Sequence, residues 1–142
     1  MRQAPYKLAI IVDDDADIAL AARLALRDLF AETLVLDSPA ELERILAERA
    51  PEVILLDLNF ARGATDGAEG FAALSRIVAQ DPDVAVVVIT AHGGVAIAVD
   101  AIKRGATDFV SKPWANERLV STVRSAAALS ASSPATCLAA PW

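Results

Sequence analysis

The chain has 142 residues, the size of a single domain, and 55% of them are hydrophobic, which excludes disorder as its main state. Thirteen basic residues against nineteen acidic ones give a formal net charge of −6, so we expect no direct nucleic-acid binding by this segment. The single cysteine, Cys137, excludes a disulfide framework and a cysteine-rich zinc site, and it favours a reducing, cytoplasmic location. No run approaches the roughly 18 apolar residues of a membrane span. The first apolar run is too short for a signal peptide. A soluble protein without membrane contact is therefore predicted.

The first half of the chain predicts strand, helix, strand and helix in turn. Residues 8–12 form a continuous apolar run rich in β-branched residues, which is typical of a strand buried on both faces. The helix that follows has an apolar face made of Ile18, Ala22, Ala25, Leu26 and Leu29. Residues 33–36 are a weaker strand candidate. Ser38-Pro39-Ala40-Glu41 then has the pattern of a capping box, which predicts a helix to about Arg49.

The second half continues the alternation. Strands are predicted at 53–56, 84–89 and, more weakly, 107–110. The third helix has an apolar face of Phe71, Leu74, Ile77 and Val78, and Asn116 is a candidate cap for the fifth. The fourth helix should end at Gly105. It is expected to bury Val95, Val99 and Ile102 and to leave Ile97, Ala101 and Arg104 pointing elsewhere.

Five strand–helix units in sequence predict an α/β fold with a parallel sheet covered by helices on both faces. After Arg124 the chain becomes rich in Ala, Ser and Pro. We therefore expect one domain over residues 1–129 and a flexible linker or an added tail over 130–142.

Polar residues follow four of the predicted strands, and the carboxyl ends of parallel strands are where open sheets bind ligands. The acidic run 13–15 follows the first strand, Asp57 the third, Thr90 the fourth and Lys112 the fifth. Clustered carboxylates repel one another unless a cation compensates them, and oxygen ligands without His or Cys favour Mg²⁺. A carboxylate beside Mg²⁺ and an ammonium group can attack a phosphoryl group.

Four segments resemble the signature segments of the receiver domains of two-component response regulators. They are Ile11-Val12-Asp13-Asp14-Asp15, Leu55-Leu56-Asp57-Leu58-Asn59, Thr90-Ala91-His92-Gly93 and Asp108-Phe109-Val110-Ser111-Lys112-Pro113. The resemblance runs in order from about Lys7 to Arg124. It implies a flavodoxin-like (βα)₅ fold with five parallel strands in the order 2-1-3-4-5.

The resemblance also implies an acceptor and a metal site. Asp57 would accept the phosphoryl group and ligate Mg²⁺. Asp14 would be a direct Mg²⁺ ligand and Asp13 a ligand through water, and the backbone carbonyl of Asn59 would complete the protein's share.

A second set of residues is implied in the response to phosphorylation. Thr90 and Lys112 would contact the phosphoryl oxygens, and Phe109 would change rotamer together with Thr90. Asn59 and His92 lie two residues after the acceptor and the threonine, where they would tune dephosphorylation. For His92 an ordinary exposed loop residue is the plainer interpretation.

The resemblance implies a switch that serves a partner. The partner that phosphorylates the chain would be a sensor histidine kinase or a phosphotransfer protein, and the output would be transcription regulation. A homodimer could form through the fourth helix, fifth strand and fifth helix. The chain would not be an enzyme beyond its own phosphorylation and dephosphorylation. The segment 59–70 is long, and together with residues 107–114 it resembles the corresponding segments of receivers placed ahead of ATPase-containing transcription activators.

Two alternative functions, and one structural interpretation of the acidic run, remain open at this point. The chain could be a stand-alone receiver that acts by protein–protein interaction. It could also be an aspartyl phosphatase of the haloacid-dehalogenase type, because Asp13 and Asp15 have the spacing of that motif; Asp17 and the short chain speak against it. The acidic run could also simply cap a helix.

Overall fold

The computed structural model of the chain describes residues 4–58, 68–90 and 94–131. Five strands form one parallel sheet in the order β2-β1-β3-β4-β5. The strands are β1 (Tyr6–Val12), β2 (Phe30–Leu36), β3 (Val53–Asp57), β4 (Ala85–Thr90) and β5 (Asp108–Ser111). The helices are α1 (Ala16–Leu26), α2 (Leu42–Glu48), α3 (Ala68–Gln80), α4 (Val95–Lys103) and α5 (Asn116–Ala131), with a 3₁₀ turn at Pro39–Glu41. The predicted α/β fold and strand order are confirmed.

The three central strands explain the continuous apolar runs. Ile11 of β1 packs into a core under α1 and α5, whereas its neighbours Ile10 and Val12 pack into a second core under α2, α3 and α4. Because both faces of β1, β3 and β4 are covered, neither face needs polar residues. The helices therefore lie on both faces of the sheet, as predicted.

The predicted burial of α4 is wrong. Val95, Val99 and Ile102 are 56%, 44% and 41% exposed, whereas Ala98 and Ala101 are fully buried. The helix has two neighbouring apolar stripes, one of Val95, Val99 and Ile102 and one of Ala98 and Ala101. The alanine stripe faces the sheet. Alanine has only a methyl side chain, so α4 can approach β4 closely. Hydrophobic periodicity alone does not distinguish the two stripes.

Two predicted helix ends follow their capping signals in part, whereas the prediction that Asn116 caps α5 is wrong. Asn116 is the first residue of that helix, and the carbonyl of Ala115 accepts the hydrogen bonds from the Arg118 and Leu119 amides. Gly105 has φ +116° and follows Arg104, the C-cap of α4, as the predicted helix end requires. Ser38 Oγ accepts a hydrogen bond from the Ala40 amide at 3.4 Å. However, the Glu41 side chain pairs with Arg44 instead of completing the capping box, and a 3₁₀ turn precedes α2.

The last helix continues past Arg124 to Ala131, since Ala126 and Ala127 are buried against the sheet. Residues 132–142 lie outside the described part of the chain, so the boundary at residue 129 stays a prediction. Among the described residues, none of the helices combines the length and the hydropathy that a membrane crossing requires.

Candidate functional site

Four strand ends bring the polar residues together at one edge of the sheet. Asp13 follows β1, Asp57 ends β3, Thr90 ends β4 and Lys112 follows β5. The parallel register holds these ends level, because Asp57 lies beside Ile89 and Thr90 beside Ser111. All four positions are thus fixed by the backbone pairing of the sheet.

Lys112 joins two of the carboxylates. Its Nζ lies 3.3 Å from Asp13 Oδ2 and 3.4 Å from Asp57 Oδ2. The Lys112 amide donates to the carbonyl of Thr90 at 2.8 Å, which fixes the start of the side chain, and the Lys112–Pro113 peptide is cis. Burial opposes the lysine charge, but the charges of Asp57 and Asp13 outweigh it and raise the pKa of Lys112. The ammonium group therefore stays charged between the two carboxylates.

The acidic cluster carries more negative charge than one lysine compensates. Carboxylate oxygens of Asp13, Asp14 and Asp57 lie within 4.8 Å of one another, with Asp13 and Asp57 buried and Asp14 exposed. Burial, and repulsion from Asp57, raise the pKa of Asp13 to about 6, although Lys112 and the Asp15 amide act in the opposite direction. Hard oxygen donors with excess negative charge suit a divalent cation such as Mg²⁺.

Asp15 differs from the two aspartates before it. Its Oδ1 accepts hydrogen bonds from the amides of Asp17 at 3.0 Å and Ile18 at 3.2 Å, so Asp15 is the N-cap of α1. The helix-capping interpretation thus holds for this residue alone. It also removes the basis of the phosphatase alternative, which needs Asp13 and Asp15 to act together.

Thr90 is buried, and its Oγ1 has no hydrogen-bond partner among the described residues. A buried hydroxyl without a partner is uncommon, because losing water without replacement costs free energy. Phe109 is half-buried and packs against the core under α3 and α4, opposite Val88. Thr90 lies two residues after Val88 and so faces the same side of the sheet. Thr90 and Phe109 are therefore diagonal neighbours on that face.

The structure does not describe every predicted site residue. Asn59 and His92 lie outside the described residues, as does most of the long segment after β3. Their predicted roles stay predictions.

The sequence analysis missed Gly70, in the first turn of α3. A Cβ built on Gly70 would lie 2.6 Å from the Cα and 2.8 Å from the carbonyl oxygen of Leu58, the residue directly after Asp57. A glycine inside an amphipathic helix is costly and often has a packing reason, which is the signal that could have identified it.

Comparison with known proteins agrees with this geometry. The family model of the response regulator receiver domain matches residues 9–124. The nitrogen assimilation regulatory protein NtrX of Azorhizobium caulinodans is 39% identical over 112 residues, which cover 78% of this chain and 24% of the relative. The C4-dicarboxylate transport transcriptional regulatory protein DctD of Pseudomonas aeruginosa is 32% identical, over 82% of this chain and 24% of the relative. The chain thus spans about a quarter of the length of these curated relatives.

Solved structures show the same relationship. The N-terminal receiver domain of a response regulator from Bacteroides fragilis superposes with a TM-score of 0.77 at 41% identity, covering 86% of this chain and 97% of that one. NtrX from Brucella abortus in complex with ADP gives a TM-score of 0.79 at 32% identity, over 89% of this chain and 28% of that one. These relatives confirm the predicted similarity to receivers of ATPase-containing transcription activators. On this match of sequence, fold and strand-end residues, the chain belongs to the response regulator receiver domain family of two-component systems.

Proposed function

We propose that this receiver accepts a phosphoryl group on Asp57 from a sensor histidine kinase or a phosphotransfer protein, with Mg²⁺ as cofactor. The observation that carries the proposal is the buried Asp57 carboxylate, which lies 3.4 Å from Lys112 Nζ and within 4.8 Å of carboxylate oxygens of Asp13 and Asp14. The Asp57 carboxylate and a phosphoryl dianion repel each other. Positive charge from Lys112 and from Mg²⁺ would reduce this repulsion enough for the two to approach.

The transfer is a substitution at phosphorus. A carboxylate oxygen of Asp57 bonds to phosphorus while the bond from phosphorus to the donor's imidazole nitrogen breaks, and the histidine leaves with the electron pair. Asp14 and Asp57 would hold Mg²⁺ directly, Asp13 would hold it through water, and the Asn59 backbone carbonyl would complete the protein's share. The ion would supply positive charge to the phosphoryl oxygens. Lys112 supplies a second positive charge there. Hydrolysis reverses the state: water attacks phosphorus, the bond to Asp57 breaks, and inorganic phosphate leaves.

We further propose that Thr90 and Phe109 read the phosphorylated state. The buried hydroxyl of Thr90, which has no hydrogen-bond partner within the described part of the chain, gains a strong acceptor once a phosphoryl group is attached nearby. Movement of Thr90 toward that group would vacate space on the face of the sheet that it shares with Phe109. The half-buried ring can then turn inward, which changes the surface beside α4.

The output would be transcription regulation by a longer protein, since the relatives are named as regulators and this chain spans about a quarter of their length. A homodimer through α4, β5 and α5 is supported by the exposed side chains of Val95, Val99 and Ile102. The sequence had predicted that these three residues are buried. A stand-alone receiver that binds other proteins is the remaining alternative. The cytoplasmic location, and the lack of activity on outside substrates, stay predictions.

The test is labelling by a small phospho-donor. Wild-type protein incubated with acetyl phosphate and Mg²⁺ should gain one phosphoryl group on Asp57, measured by intact mass and peptide mapping, and should gain none when a chelator replaces Mg²⁺ from the start. Asp57→Asn should gain none. The matched control is Asp15→Asn, which keeps the helix cap because asparagine also caps, and it should be labelled at the wild-type rate. Equal labelling of wild type and Asp57→Asn would overturn the assignment.

A further inference from the structure

The backbone directly after Asp57 is held from two sides. The Leu58 amide donates to the carbonyl of Ile89 on β4 at 3.1 Å, and the whole residue is buried. The α-carbon of Gly70, in α3, also lies close to Leu58. The contact has room for two hydrogens and no more: a Cβ there would lie 2.6 Å from Leu58 Cα and 2.8 Å from its oxygen.

We propose that Gly70 is a positioning residue for phosphoryl transfer, because its missing side chain lets α3 hold the backbone after Asp57 at the place where the acceptor and the metal ligands meet. This inference rests on the proposed phosphorylation of Asp57. Besides the Leu58 Cδ2 atom at 2.8 Å, which could move with its side chain, the close contact involves two backbone atoms of Leu58, which cannot swing aside.

An added methyl group gives the size of the effect. Ordinary van der Waals contact begins near 3.4 Å, so Leu58 Cα or the first turn of α3 must move by about 0.8 Å. Leu58 is covalently bonded to Asp57 on one side and to Asn59 on the other, and the Asn59 carbonyl is the predicted Mg²⁺ ligand. Mg²⁺ tolerates only small departures from octahedral geometry, and misplacement of a reacting group by about 1 Å can slow a reaction about 100-fold.

The glycine is unusual by local rules, which supports a role beyond helix formation. A glycine in a helix destabilises it relative to alanine, and most of the other residues of α3 are good helix formers such as Ala, Glu, Leu and Arg. Gly105, by contrast, has a positive φ and meets only side-chain atoms of Val78. Gly70 therefore differs from Gly105, because its α-carbon lies close to backbone atoms of another segment.

The decisive experiment compares Gly70→Ala with the matched helix variant Ile77→Ala. Ile77 lies two turns further along α3 and is buried in the same core, so its truncation lowers stability while the contact of Gly70 with the Leu58 backbone is kept. For each protein the melting temperature, the Mg²⁺ dissociation constant by calorimetry and the phosphorylation rate with acetyl phosphate are measured well below the melting temperature. The amide spectrum without metal reports displacement at Leu58 directly.

We expect Gly70→Ala to weaken Mg²⁺ binding and to slow phosphorylation by about 10- to 100-fold, with shifted amide signals at Leu58. Ile77→Ala should melt at a lower temperature yet keep both constants within about twofold of wild type. Wild-type Mg²⁺ affinity and rate in Gly70→Ala would overturn the inference. So would an equal loss in both variants, since general destabilisation would then explain it.

A second variant decides the matter if Gly70→Ala does not fold. Leu58→Ala removes the side chain but keeps the backbone contact with Gly70, so Mg²⁺ affinity and rate should persist despite lower stability. A tenfold loss in Leu58→Ala would show that the leucine side chain, not the backbone contact, sets the position. If wild-type protein itself is not phosphorylated on Asp57, the proposed function fails first, and that outcome is distinct from a normal rate in Gly70→Ala.

Discussion

The buried charge of Asp13 lowers the free energy of unfolding. Replacing Asp13 by asparagine should therefore make the metal-free protein more stable. The substitution keeps the shape of the side chain. The new Oδ1 can still accept the hydrogen bond that the Asp15 amide now donates to Asp13 at 2.9 Å. What disappears is a buried negative charge near Asp57. Lys112 loses one partner but retains Asp57 at 3.4 Å.

The magnitude follows from the pKa of Asp13, which burial and repulsion from Asp57 raise from 3.8 to about 6. Its side chain is buried, but the exposed carboxylate of Asp14 lies beside it, so screening by water makes the figure below an upper value. At about 1.4 kcal/mol for each pKa unit, the charged carboxylate costs about 3 kcal/mol above pH 7. Because asparagine leaves a polar amide beside Lys112, we expect a gain of about 1–3 kcal/mol.

The sign of the pH dependence is specific. A carboxyl group whose pKa is raised by folding stabilises the fold fully below its unfolded pKa, and this contribution is lost as pH rises through the folded pKa. The free energy of unfolding of wild type, relative to Asp13→Asn, should therefore fall between about pH 4 and pH 6 and stay level above pH 7.

Urea denaturation in the presence of a chelator, followed by circular dichroism at several pH values, measures this difference, because the residues away from the cluster of Asp13, Asp57 and Lys112 are the same in both proteins. Added Mg²⁺ should stabilise wild type more than the variant, since binding to the folded state alone raises stability. Two results would refute the reasoning: a variant less stable than wild type at pH 7.5 without metal, or a difference that is the same at pH 4 and pH 7.5.

Three other predictions address single residues of the site. Asp14→Ala should lose Mg²⁺ affinity in calorimetry and phosphorylation in the acetyl phosphate assay without lower stability, because it removes an exposed carboxylate from a cluster of like charge; a large drop in melting temperature with intact metal binding would assign it a structural role. Lys112→Ala should largely retain Mg²⁺ binding but weaken phosphoryl transfer or its readout, and full signalling by this variant would remove Lys112 from the site. Replacing Asn59 or His92 should change the dephosphorylation rate more than the phosphorylation rate, and unchanged phosphate release from both variants would leave His92 an ordinary loop residue.

The sheet could be predicted because its patterns are local. An apolar run bounded by polar residues, such as 53–56, has few other stable arrangements, and parallel strands must end at one edge. Asp57, Thr90 and Lys112 therefore met where the sequence indicated. The distances among their atoms could not be predicted, because they depend on strand register and on rotamers set by neighbouring elements.

The orientation of α4 could not be predicted for a different reason. Burial of a helix face is decided by how closely the helix backbone can approach the sheet, and Ala98 and Ala101 permit a close approach that larger side chains would prevent. Size-weighted hydrophobicity favours Val95 and Val99 instead. The contact of Gly70 with Leu58 could not be predicted either. It joins backbone atoms of two elements, and the sequence does not specify how closely those elements approach each other.

Departures from local rules identify the site independently of its family resemblance. Asp13 is a buried carboxylate with a raised pKa, Thr90 a buried hydroxyl without a partner among the described residues, and Gly70 a helix residue whose replacement would displace backbone. Each is unfavourable for folding alone, yet all three surround the end of β3 at Asp57, whereas the residues deeper in the sheet follow the patterns of buried strands. Sequences that fold well conflict with such rules mainly where function demands it. A binding event that supplies positive charge to Asp13 and an acceptor to Thr90 would relieve two of these costs together, which is what a phosphoryl group with its metal ion would do.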